Sequence, residues 1–169
     1  LDRDPWRVVN LYREWSSTPE RRVKKIIVAY ASAYGHTKRM AELIAQGAEE
    51  VGNVEIALMD VATAPEKHVD EAFSEFDALV IGSPTINANV VAPVWRALDK
   101  VSAITARGKA AAVFGNYGWS GEAVPLLEER LEKMRLVVSH PPVKARFGLT
   151  PADEERCLNL GRFMAQGLQ

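Results

Sequence analysis

Residues 26–37 read I-I-V-A-Y-A-S-A-Y-G-H-T, and this stretch constrains the fold more than any other. Six mostly apolar residues end in a short loop of small and hydroxyl side chains, and a helical pattern follows at once. A strand that enters a helix N-terminus through such a loop is where an α/β protein holds a phosphate. Free backbone N–H groups point out of the helix start, and its dipole favours negative charge.

The same unit repeats along the chain. The first strand is expected near 25–31 and its helix over 36–50, where Met40, Leu43, Ile44, Ala48 and Val51 recur at helical spacing and Gly52-Asn53 stops the run. A second strand is expected at 54–59 and a short helix near 65–74. The third strand, 78–81, is continuously apolar, as a parallel strand covered on both faces should be. Helix 90–103, strand 109–114 and helix 122–134 follow. A fifth strand is divided between 136–138 and 143–146 by Pro141-Pro142, which suits a sheet edge. A last helix, 152–167, opens at Thr150-Pro151 with Asp153 and Glu154 in its first turn.

Five strands alternating with helices make an α/β fold, a doubly wound five-stranded parallel sheet with helices on both faces. A chain of 169 residues buries roughly 70% of its extended surface, enough for a real core. The domain is expected to occupy 24–169, with residues 1–23 as a helix and linker joining it to an upstream domain. In that segment Asp4 can cap, Pro5 suits the first helical position, and Val8, Leu11, Tyr12 and Trp15 share a face. The helix either packs on its own domain or docks through Trp6 and Trp15 on something outside this chain. Residues 16–22, S-S-T-P-E-R-R, read as linker, and the start at Leu1 fits a processed protein or a domain cut from a longer one.

Composition excludes several function classes. The net charge is −1 with interspersed signs, which argues against nucleic acid or an anionic membrane as the main partner. Three histidines and one cysteine leave little material for a metal site. Cys157 lies alone in a helical pattern and reads as a buried core residue; with no disulfide framework, a reducing cytoplasm fits. Neither a run of about 18 apolar residues nor a signal peptide is visible.

In a doubly wound sheet the loops beyond the carboxyl ends of the central strands converge where strand order reverses. The first such loop, Ser32-Ala33-Tyr34-Gly35-His36-Thr37, offers backbone N–H groups, two hydroxyls and a permissive Gly35, with no Lys or Arg before Lys38. It is neither a Walker loop nor a G-x-G-x-x-G fingerprint. It suits a terminal monophosphate, although an ordinary βα turn would read the same way. The second loop, Gly82-Ser83-Pro84-Thr85-Ile86-Asn87-Ala88-Asn89, could meet the polar edge of a heterocycle or simply connect strand to helix. The third loop carries Gly115, Gly118 and Gly121 at three-residue intervals, with Asn116, Tyr117 and Trp119 between them. Its glycines let backbone approach a flat ligand while the aromatics lie against it.

With these loops in place, the chain from about Lys24 to Leu168 resembles flavodoxin-like FMN domains, the type with strand order 2-1-3-4-5 and FMN at the switch point. More narrowly, G-S-P-T-I-N, F-G-N-Y-G-W-S-G and P-P-V-K-A-R-F are similar to the C-terminal flavodoxin domain of flavodiiron proteins (A-type flavoproteins). The segment D-P-W-R-V-V-N-L-Y-R-E-W is similar to the joint that follows their metallo-β-lactamase-like domain. The resemblance implies that Ser32, Ala33, Tyr34, Gly35, His36 and Thr37 hold the phosphate. Ser83, Pro84, Thr85, Ile86 and Asn87 would run along the flavin ring, and Gly115, Asn116, Tyr117, Gly118, Trp119 and Gly121 would form the opposite ring loop. It implies no catalytic residue and no metal ligand in this chain.

The activity so implied is electron transfer from a rubredoxin-like or reductase donor to a diiron oxygen or nitric oxide reductase centre. That centre needs an H-x-E-x-D type motif, and none of His36, His68 and His140 begins one, so it lies outside this chain. Flavodiiron proteins pair head to tail, which leaves a homo-oligomer open. The alternative is a stand-alone FMN-dependent NAD(P)H:quinone oxidoreductase, many of which use a G-S-P-T loop. Many flavodoxins also have a glycine beside flavin N5. Residues 85–89 contain none, so left-handed backbone there would cost roughly 1–2 kcal/mol unless an Asn takes it, and one-electron-reduced flavin should accumulate weakly.

Overall fold

A computed structural model describes residues 22–169, so the helix expected over residues 4–17 lies outside the described residues. The chain alternates strand and helix from β1 (Lys24–Tyr30) to α1 (His36–Val51), then β2 (Val54–Asp60) and α2 (Glu66–Ser74). β3 (Ala78–Ile86) turns into the two-residue β4 (Asn89–Val90), followed by α3 (Ala92–Asp99) and the one-turn α4 (Ala103–Ala106). β5 (Ala110–Tyr117), α5 (Ala123–Lys133), β6 (Val137–Val138), β7 (Val143–Arg146) and α6 (Pro151–Gln166) complete it.

The sheet runs β2-β1-β3-β5, then β6 and β7 along the far edge. β6 pairs with Ala110–Ala111 and β7 with Phe114–Tyr117, both parallel, so they are one edge strand interrupted between Val138 and Val143. Counting them as one, the order is the expected 2-1-3-4-5. Pro141 and Pro142 fall in the gap, where a residue with no N–H to donate does least harm.

Alternation along β1 builds a core on each face. Ile27 and Ala29 join Leu79, Ile81 and Val113 beneath α2, α3 and α5, with Phe73, Leu98 and Leu127. Ile26, Val28 and Tyr30 join Val80, Ala112 and Phe114 beneath α1 and α6, with Met40, Ile44 and Leu160. Cys157 is fully buried in this second layer, and desolvation pushes its thiol up to about 12, so it is the core residue its pattern suggested. Among the described residues no helix is long and apolar enough to cross a membrane.

Two features depart from expectation. β3 and β5 do not stop at 81 and 114; they run on to Ile86 and Tyr117 and stay paired through Pro84 and Asn116. The second loop is therefore an extended strand closed by a β3–β4 hairpin, with Thr85 opposite Val90 and Ile86 opposite Asn89. Its two turn residues, Asn87 (φ 51°) and Ala88 (φ 55°), have the φ signs of a type I′ turn, which matches the twist of a tight hairpin. Left-handed backbone is thus already present without glycine, and the argument for weak accumulation of one-electron-reduced flavin loses its premise. The helix expected over 90–103 is also divided, since α3 ends at Asp99 and α4 begins at Ala103.

Candidate functional site

The three loops converge at the carboxyl end of the sheet. Between β1 and α1, Ser32 Oγ accepts from the Gly35 N–H at 3.0 Å, and Gly35 turns the chain into the helix at φ 89°. α1 has no side-chain cap, and among the described residues nothing accepts from the N–H groups of His36, Thr37 or Lys38. A helix start with orphan donors is an anion site in waiting. Backbone donors supply positive potential there, and of the two cations in the first turn Arg39 is paired with Glu154 at 3.2 Å while Lys38 is exposed.

The hairpin supplies the second wall. Ser83 is fully buried; its hydroxyl donates to Pro84 O (2.8 Å) and accepts from Val91 N–H (3.2 Å), locking the strand to the residue before α3. Thr85 Oγ1 accepts from the Ala123 N–H at 3.2 Å, which ties the hairpin to the first turn of α5. Asn89 Oδ1 accepts from the Val90 N–H at 2.8 Å and from Trp95 Nε1 at 3.4 Å.

The third wall is the end of β5 and the loop beyond it. A Cβ at Gly115 would stand 2.8 Å from Ser83 O and from Val124, so glycine there allows β5 to pack closely. Asn116 Nδ2 donates to the carbonyls of Ala145 and Phe147, and Arg146 Nε donates to Gly118 O at 3.1 Å. Trp119 projects into solvent, as does Tyr34 across from it, and each is 90% exposed.

Between the walls lies a cleft of about 340 Å³. It is lined by Ala33, Tyr34 and His36 from the first loop, Pro84, Thr85 and Ile86 from the hairpin, and Asn116, Tyr117, Gly118 and Trp119 from the third. The structure brings these ten expected residues together. Ser32, Gly35, Thr37, Ser83, Asn87, Gly115 and Gly121 do not line the cleft; Thr37, Ser83 and Gly115 lie buried behind it as its frame. One lining residue was not anticipated, namely Phe147 from the corner after β7. Its local signals were its place as the last residue of P-P-V-K-A-R-F and the Gly148 that follows.

A wider depression of about 570 Å³ lies between α2 and α3. Of its charges, Lys100 Nζ meets Asp70 at 2.5 Å and Glu66 at 3.1 Å, and Asp99 pairs with Arg130 at 3.1 Å. Nothing in it converges on a ligand. Among the described residues, no group of three or more His, Cys, Asp or Glu could hold a metal ion.

Comparison with known proteins agrees with this geometry. Residues 28–161 match the flavodoxin family model. The chain is 35% identical over 145 residues to the type A flavoprotein fprA of Rhodobacter capsulatus, covering 86% of this chain and 33% of that protein. It is 32% identical over 158 residues to the flavo-diiron protein FprA2 of Clostridium acetobutylicum, covering 93% and 40%. The Flv1 flavodiiron core of Synechocystis superposes with a TM-score of 0.81 at 27% identity, over 97% of this chain and 40% of that one. A flavodoxin from the domain Archaea superposes at 0.74 with 32% identity, over 85% and 98%. The chain thus spans about a third to two fifths of the length of these flavodiiron-type relatives, and nearly all of the flavodoxin. With the match running through both sheet faces and all three walls of the cleft, the chain belongs to the flavodoxin family.

Proposed function

We propose that this chain is an FMN-binding electron-transfer domain, the C-terminal flavodoxin domain of a flavodiiron protein, which delivers electrons to a diiron oxygen or nitric oxide reductase centre outside it. The observation that carries the reading is the pairing of orphan N–H donors at the start of α1 with the exposed aromatics Tyr34 and Trp119 on opposite walls of one cleft. The first feature suits a monophosphate and the second a flat ring, and FMN unites both.

The cofactor is FMN, as membership of the flavodoxin family implies, and FMN supplies the one- and two-electron redox chemistry. The protein's part is position and potential. The free N–H groups of His36, Thr37 and Lys38, with the partly exposed Ser32 hydroxyl, would bind the phosphate. The Pro84–Asn87 hairpin and the Gly115–Gly121 loop would flank the ring. No Lys or Arg stands in residues 32–37, so the phosphate charge would be offset only in part, by backbone donors and the helix start. Further negative charge on the ring is then opposed, and the potential is low.

Donors would be a rubredoxin-like protein or a reductase, and the acceptor a diiron domain of the same or a paired chain. A lone buried thiol fits the cytoplasm as the proposed setting. The test is purification of the chain in yellow form with one FMN per chain, followed by reduction through a rubredoxin-type donor and reoxidation by a diiron domain added in trans. A colourless chain that FMN cannot saturate would sink the reading. Rapid steady-state NAD(P)H oxidation with a quinone would instead favour the oxidoreductase alternative.

A further inference from the structure

Phe147 stands where a large side chain is least expected. Its φ is 57°, in the left-handed region where a bulky residue is a true outlier, while Gly148, the next residue and one suited to that conformation, does not take a positive φ. Strain of this kind persists only where the surroundings over-determine it, and here they do. The Phe147 N–H donates to Tyr117 O at 2.8 Å, and its carbonyl accepts from Asn116 Nδ2. The Arg146 guanidinium lies over the Phe147 ring, 5.2 Å from its centre, while Arg146 Nε holds Gly118 O. A Cβ placed on Gly118 would make an ordinary van der Waals contact with the Phe147 ring at 3.4 Å, so the ring lies beside this stretch of backbone. The corner after β7 is therefore tied at each of residues 116, 117 and 118.

The strained backbone presents the ring to Trp119. The two rings meet edge to face, with centroids 6.5 Å apart and planes at 80°. Trp119, on a glycine-bearing loop, is 90% exposed with the Phe147 contact in place, and an indole without that contact would sample several rotamers. Ordering it would then weaken binding of any ligand it covers.

Resting on the reading that the cleft holds FMN, we infer that Phe147 is a positioning residue. It takes a left-handed backbone so that its ring buttresses Trp119 and presets the indole against the flavin. Arg146 caps the outer face of that buttress. No electron or proton passes through Phe147; its effect is on cofactor affinity through Trp119.

The test separates fold, contact and positioning. Phe147→Asn accepts left-handed backbone without the ring. Its apoprotein should melt about 2–4 °C higher than the unmodified chain, yet bind FMN about three- to tenfold more weakly by quenching of flavin fluorescence. Phe147→Tyr should restore affinity. In a Trp119→Ala background, adding Phe147→Asn should change the FMN dissociation constant by less than about twofold, because neighbours that act through one another are not additive. The inference is overturned if Phe147→Asn binds FMN as tightly as the unmodified chain, or if its apoprotein melts lower, which would make the residue merely structural. An equal loss of affinity with and without Trp119 also overturns it, by making Phe147 a direct contact. Failure of the unmodified chain to bind FMN would remove the cofactor reading and this inference together, whereas normal binding with an insensitive variant removes this inference alone.

Discussion

Ala88 holds a φ of 55° at the tip of the β3–β4 hairpin, the place in a two-residue turn where Asn-Gly is the favoured pair. Its neighbour Asn87 tolerates this region because a short amide can bond locally, but alanine gains nothing there. Ala88→Gly should relieve the strain, and part of that gain is lost to the freer unfolded chain. The expected net is about 0.5–1 kcal/mol of added stability, read as a higher denaturant midpoint at unchanged slope. A lower midpoint would show that the alanine methyl makes a packing contact. From the sequence, a glycine-free loop looked unable to adopt left-handed backbone cheaply. The hairpin adopts it twice because Thr85 and Ile86 are held in register against Val90 and Asn89.

Among the elements, α1 and α6 pack most closely, and two glycines permit it. A Cβ on Gly161 would lie 1.9 Å from Ile44 O, and one on Gly47 would lie 2.1 Å from Leu158 O. Both obstacles are backbone and cannot swing aside. Gly161→Ala should destabilise by roughly 1–3 kcal/mol or more, against the gain alanine brings to an open helix. Thermal unfolding would show it, and a neutral or stabilising result would mean the two helices can part without cost.

The start of α6 carries a second element-scale device. Thr150 and Asp153 form a reciprocal capping box, in which Asp153 accepts from Thr150 N–H (2.9 Å) and Thr150 Oγ1 from Asp153 N–H (3.2 Å). Hydrogen bonds from the Thr150 backbone, then from Arg156 and the Thr150 hydroxyl, hold the Asp153 carboxyl below its ordinary value of 3.8. A carboxyl depressed in the folded state stabilises above its unfolded value, and that contribution is lost as pH falls through the folded value. Asp153→Ala should therefore cost about 1 kcal/mol near neutral pH, and the gap in melting temperature should close as pH drops below 3.8. A gap unchanged at pH 2.5 would show that the carboxylate charge is not what matters.

At the scale of the whole molecule, cofactor and fold are linked. FMN bound only by the folded chain should stabilise it by about 2.7 kcal/mol at a hundredfold excess over its dissociation constant. That corresponds to a melting rise on the order of 5–10 °C. Removing FMN should reverse the rise without changing far-ultraviolet circular dichroism. The reason is that the loops stand on strands whose pairing continues to Pro84 and Asn116. Loss of the sheet signal would mean that the cleft does not exist before the cofactor arrives.

The strand order came from the resemblance to flavodoxin-like FMN domains, while the alternation of apolar strands and amphipathic helices sufficed to read a parallel sheet, its two covered faces and the split edge strand. Those three follow from local periodicity and the handedness of parallel crossovers. Ten of the cleft residues were legible because the ends of neighbouring central strands and the loops beyond them must converge in such a sheet. Ser83 and Gly115 read as ligand contacts, but the register of β3 against β5 buries them. Phe147 was not legible as a wall of the cleft. Its place depends on β7 pairing with the far end of β5 and on hydrogen bonds across 28–31 residues, from the Asn116 side chain to the Phe147 carbonyl and from Arg146 to the Gly118 carbonyl. Residues 26–37 therefore announce where an anion can rest, because a strand and a helix start are local events. Which aromatic stands beside that place is set by contacts between distant segments, and no local pattern encodes those.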